Sequence, residues 1–107
     1  VREQHGSSEY YHYAEPRHAT EAISQEAESV LRHHAESKSD KPLFLYVAYT
    51  AAHSPLQPLP RHEKLCSNIR HLWRRQFCGM VLGLDESVGN LTRVISETLG
   101  ENTILIF

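Results

Sequence analysis

His53 sits in the stretch "TAAHSPLQPLP", braced by Pro55 and Pro58. An imidazole can donate a hydrogen bond to an anionic oxygen, move a proton, or bind a metal near neutral pH. That range makes His53 the leading site candidate in the chain. Ser54 beside it does not form a nucleophile–base pair by adjacency, and no Gly-X-Ser-X-Gly turn surrounds it. Gln57 is read as a tie from the loop to backbone. Cys66 and Cys78 form no CxxC and have no histidine partner at zinc-finger spacing; free buried thiols and one local disulfide both remain open. The eight histidines make a weak case for structural zinc. His33 and His34 are adjacent and diverge on a helix, while His5 with His12, and His62 with His71, lack i,i+4 spacing. Asn90-Leu91-Thr92 is an N-glycosylation sequon with no proline to block it, and Asn90 is expected on the outer face of its helix.

The elements that must position His53 follow from periodicity. The polar, His- and Tyr-rich stretch 1–15 reads as a loop with Gly6-Ser7-Ser8 inside it. From Pro16 the pattern turns helical, with Glu15 at the positive end of the dipole and Ala19, Ile23, Ala27, Val30 and Leu31 on one face. His33 and His34 fall in its last turn, and "ESKSDKP" closes as a loop. Leu43 to Tyr49 is apolar at nearly every position, as in a strand buried on both faces of a parallel sheet. After the proline-rich loop, a long helix is expected from about Ile69. Trp73, Phe77, Met80, Val81, Leu84, Val88, Leu91, Ile95 and Leu99 step by three and four. Gly79, Gly83 and Gly89 weaken it but permit close approach, and Gly100 is a natural stop. Thr103 to Phe107 is a second buried-strand candidate. The order helix-strand-long helix-strand predicts an α/β fold with parallel strands and a right-handed crossover. His53 then lies just past the carboxyl end of the first strand, where α/β sheets bind ligands.

A chain of 107 residues with a net charge of -2 and 40% hydrophobic residues fits one domain or part of one. It carries no overall basic surplus for nucleic acid, and its longest apolar stretch is too short to cross a bilayer. Val1 is not a start methionine, and Phe107 falls inside the apolar run "TILIF". The chain therefore reads as an internal fragment, residues 1–107 forming part of a larger domain.

"KPLFLYVAYTAAHSPLQ" resembles the sulfatase pattern in which Lys-Pro, an aromatic strand and Ala-X-X-X-X-His-X-Pro-Leu-Gln follow in order. "RRQFCGMVLGLDESVGNLTRVISETLGENTILIF" is similar to the family's downstream segment, through its Arg-Arg, Gly-Met-Val, Leu-Asp-Glu and Val-Gly-Asn landmarks. The likeness is to the arylsulfatase B type (N-acetylgalactosamine-4-sulfatase and its relatives) and covers Lys41 to Phe107, with 16–34 as a preceding helix. It implies an alkaline-phosphatase-like fold that hydrolyses sulfate esters. A cysteine matured to formylglycine attacks sulfur while one calcium ion holds the sulfate oxygens. His53 matches the histidine that touches the sulfate, where a donor would stabilise developing charge or assist the leaving oxygen. It also implies a lysosomal or secreted parent, glycosylation at Asn90, and a sulfated small-molecule or glycan substrate.

The rest of that machinery lies elsewhere. The family's Cys-X-Pro/Ala-X-Arg motif is absent, and "CSNIR" at Cys66 to Arg70 has Asn68 where Pro or Ala is needed. Calcium needs several oxygen ligands, yet Asp40, Asp85 and Glu86 form no cluster. The family's Asp-Asn metal pair follows the strand on which this chain ends. Lys41 matches the family's Lys-Pro and is read as a solvated loop end. The chain by itself is expected to be inactive and to fold poorly, since two parallel strands cannot cover a sheet. Two alternatives stand beside this one. One is a phosphatase or phosphodiesterase of the same superfold; the other is a non-catalytic sulfatase-like protein that binds a glycan or a partner.

Overall fold

The computed structural model describes residues 18–38 and 40–107. The 1–15 loop, the helix-start signals at Glu15 and Pro16, and His5 and His12 lie outside the described residues.

The first helix, α1, runs Ala19–Glu36. His18 is its N-cap, with extended backbone, and the Ala22 N–H donates to the His18 carbonyl at 3.0 Å. Glu21 in the first turn faces the positive end of the dipole, and His33 and His34 occupy the last turn. Its buried face is Thr20, Ala22, Ser24, Ala27 and Leu31. Two of these are polar, and Ser24 offsets its burial by donating to the Thr20 carbonyl at 2.8 Å. The helix gives way through Ser37 to Lys38, whose φ of 48° is left-handed.

The second helix, α2, spans Pro60–Leu65 with proline in its first turn. The third, α3, runs Leu72–Thr98, so it starts three residues later than the periodicity predicts. The cause is local: the Ile69 N–H is taken by the Cys66 carbonyl in a turn that continues out of α2. Gly100, at φ +64°, ends the run, and the Leu99 and Gly100 N–H groups both donate to the Ile95 carbonyl.

Ala27 and Leu31 of α1 meet Leu91 and Val94 of α3 in the buried core, with Val47, Tyr49, Ile95 and Leu99 packed around them. Each Leu or Val removed from water there contributes on the order of 1.5–3 kcal/mol. α2 packs on the other half of α3 at two glycines. A Cβ on Gly79 would come within 2.8 Å of the Pro58 Cβ, and one on Gly83 within 3.0 Å of His62 Nδ1. Cys66 at the end of α2 is disulfide-bonded to Cys78 in α3, with Cα atoms 6.2 Å apart. That settles the alternatives left open for the pair.

The expected α/β sheet is not formed: among the described residues there are three helices and no strand. A ladder exists only where a second backbone offers donors and acceptors, and 43–49 and 103–107 do not pair with each other. Nor is 43–49 buried on both faces. Phe44 and Tyr46 are 91% and 81% exposed, Leu43 and Leu45 each 36%, and Val47 and Tyr49 pack on the helical core. The alternation has the period of two that a strand imposes on its side chains. The Tyr49 hydroxyl pairs with Ser24 Oγ at 2.9 Å, fixing the end of this segment to α1. Among the described residues, no helix is long and apolar enough to cross a membrane.

Candidate functional site

His53 follows directly from that anchored segment. A turn closes over it, with the His53 N–H donating to the Thr50 carbonyl at 2.9 Å. Its ring lies 2.6 Å from the Ser54 carbonyl through Nδ1. A carbonyl only accepts, so Nδ1 carries the proton. Nε2 is therefore the nitrogen left for other chemistry. Neutral, it accepts a hydrogen bond or a proton; protonated, it donates to an anionic oxygen. The side chain is exposed.

The far side of the loop is held from α1. His18 Nε2–H donates to the Gln57 carbonyl at 2.7 Å, across 39 residues of sequence. The tie thus runs from the His18 side chain to the Gln57 carbonyl, a different bond from the expected one between Gln57 and backbone. With Tyr49 held by Ser24, both ends of the 50–57 loop are moored to the first turns of one helix. Between them lies an open cavity of about 1020 Å³, with His18, Thr20, His53, Gln57 and Met80 on its walls. Ser54 offers its carbonyl to His53, and Lys41 is exposed.

A second polar cluster lies where the three helices meet. Buried His62 contacts Glu86 Oε2 through Nε2 at 2.5 Å, and Arg61 bonds both Glu21 at 3.0 Å and Glu86 at 3.1 Å. The His62 bond, then the Arg61 bond, hold the Glu86 carboxyl below its ordinary value. The bond to Glu21, then that to Glu86, hold the Arg61 guanidinium more firmly protonated. These side chains line a cavity of about 290 Å³. Asn90 lines it too and is half-buried, rather than standing on an outer face. Neither His18 nor this cluster was foreseen as functional. Their partners lie 24 to 40 residues away, and no local pattern announces such a pairing.

The metal question divides in the same way. Among the described residues, no group of three or more His, Cys, Asp or Glu is placed to hold a metal ion. Cys66, already out of pattern as a nucleophile, has its sulfur bound to Cys78.

No protein-family model matches the chain. The chain is 35% identical over 91 residues to arylsulfatase J of Mus musculus, a match covering 84% of this chain and 15% of that protein. Among solved structures it is similar to Ps i-CgsB, with a TM-score of 0.75 and 32% identity over 82% of this chain and 19% of that one. The same protein in complex with k-i-k-neocarrahexaose matches with a TM-score of 0.75 and 31% identity. This chain therefore spans less than a fifth of the length of the relatives it matches. Sequence and fold together relate it to one segment of the sulfatase family.

Proposed function

We propose that this chain is part of a sulfuric ester hydrolase of the arylsulfatase type, in which His53 contacts the sulfate group of a sulfated glycan. The observation that carries the reading is the His53 ring. Nδ1–H is committed to the Ser54 carbonyl, and Nε2 is free beside an open cavity. Protonated, Nε2–H donates to a sulfate oxygen, where negative charge grows as the ester is cleaved, or to the leaving oxygen. The match to arylsulfatase J supports the reaction class. The neocarrahexaose bound by the similar structure, an oligosaccharide of a sulfated galactan, supports a glycan substrate.

Calcium and formylglycine enter this reading as groups held outside the chain. The described residues offer no oxygen-rich donor set for a calcium ion and no free cysteine for maturation. The Cys66–Cys78 disulfide supports an oxidising compartment, and with it a lysosomal or secreted protein in which the Asn90 sequon would be available for glycosylation.

The test is His53→Gln in the full-length protein, assayed on a small aryl sulfate. Loss of one charge-stabilising donor lowers kcat by about 10²–10³, with unchanged far-UV circular dichroism. Turnover within a factor of two of the unaltered protein would remove His53 from the sulfate site.

A further inference from the structure

The chain has a net charge of -2 overall, yet residues 61–78 hold five of its eleven Lys and Arg and one of its thirteen Asp and Glu. This segment is therefore +4 while the remainder is -6. It contains α2, the turn after it and the start of α3, and the Cys66–Cys78 disulfide closes most of it into one ring. Two of its cations are spent internally. Arg61 is paired with Glu21 and Glu86, and Arg75 with Glu63 at 3.0 Å. Lys64, Arg70 and Arg74 are exposed and have no ion-pair partner among the described residues. No acidic residue stands in the first turn of α3 to offset them. Trp73 lies in sequence between the two free arginines and is 70% exposed.

We propose that Arg70, Trp73 and Arg74, flanked by Lys64, form a binding surface for a sulfated polysaccharide, separate from the His53 cavity. Guanidinium forks pair with sulfate oxygens in two-point contacts. An exposed indole offers a flat apolar face to the C–H side of a sugar ring, a pairing that a purely ionic partner would not use. The disulfide fixes the end of α2 to the start of α3 and so limits the freedom of the segment that carries Arg70 and Arg74, which lowers the ordering cost of binding. None of these residues lines the His53 cavity. The surface would hold a long anionic chain while a sulfate in the His53 cavity is processed. It extends the glycan reading above but can be tested without turnover.

The test is salt-gradient elution of the full-length protein from immobilised carrageenan, with agarose as the uncharged galactan. Arg70→Ser with Arg74→Ser is expected to weaken retention roughly three- to tenfold at low salt, the range expected from two exposed charge contacts. Trp73→Ala is expected to weaken it while leaving the salt dependence unchanged. Arg70→Lys with Arg74→Lys keeps the charge but not the two-point contact and should recover part of the binding lost in the serine variant, which separates a lost contact from a misfolded protein. Turnover of a small aryl sulfate should be unaltered in all three. A protein with no turnover but normal retention refutes the hydrolase reading and leaves this one standing. Unchanged elution of the serine double variant, equal retention on agarose, or tighter retention on duplex DNA than on carrageenan would each overturn the proposal.

Discussion

Replacing Gly79 and Gly89 by alanine, one at a time, isolates the contact between α2 and α3. At Gly79 the new carbon would lie 2.8 Å from the Pro58 Cβ and 3.1 and 3.2 Å from the Glu63 backbone N and Cα. Carbon atoms rest about 3.5–4.0 Å apart, so Pro58 must retreat by roughly 0.7 Å, and the α2 backbone by a few tenths. Neither neighbour is a flexible side-chain tip, and Cys66 pins the end of α2 to Cys78. Overpacking of this kind costs about 1–3 kcal/mol. Alanine in a helix interior gains about 1 kcal/mol over glycine. Gly79→Ala is therefore neutral to destabilising by about 2 kcal/mol. At Gly89 a Cβ meets nothing within 4 Å, so only the propensity gain is felt and the protein is stabilised by about 1 kcal/mol. The propensity gain is common to both variants, and their difference of about 1–3 kcal/mol is the steric cost alone. Urea unfolding of the full-length protein reads it directly. Equal stabilisation by both would mean that α2 does not pack on α3 as described.

Removing the disulfide with Cys66→Ser and Cys78→Ser frees a loop of sequence separation 12. The expected cost is about 3 kcal/mol on the loop-entropy model, read as a lower urea midpoint; an unchanged midpoint would refute it. Cutting the mooring with His18→Ala is expected to cost about 0.5–1.5 kcal/mol, seen in thermal melts, and no loss would mean the Gln57 carbonyl is not held from α1. Glu86 sets a pH limit on the helix junction. Its folded value lies below the ordinary 4.5, so its contribution is full above the unfolded value and is lost as pH falls through the lower folded one. Acid titration of stability should show a limb below pH 4.5 that Glu86→Gln diminishes, and an identical limb in that variant would sink the assignment.

The long periodic helices were legible because their signal is local. Ala27, Leu31 and Leu91, all read on apolar faces, end up facing one another in the core, whereas Val94, the fourth core residue, is passed over for its neighbour Ile95. Gly79 and Gly83 were read as sites of close approach, and both meet α2 or the loop before it; Gly89 meets nothing. The short α2 escaped notice because Pro60–Leu65 is less than two turns long, too brief for a period to repeat. The run 43–49 is not buried on both faces within these 107 residues. Unbroken hydrophobicity cannot say how many neighbours a segment has, and here its alternate residues face solvent. At the site, His53 could be picked out by its place after an apolar run. Its tautomer and the His18 mooring could not, since both depend on carbonyls whose directions exist only in the folded chain.

The Cys66–Cys78 ring has a consequence for survival in the presence of proteases. Arg70, Arg74 and Arg75 all lie inside it, and each offers a bond that trypsin-like enzymes can cut. A single cut at any of them opens the backbone but cannot release either side, because the two ends stay joined through sulfur. Nicked molecules would migrate as one species until reduced, and the arginine cluster would remain attached to the helices that carry it.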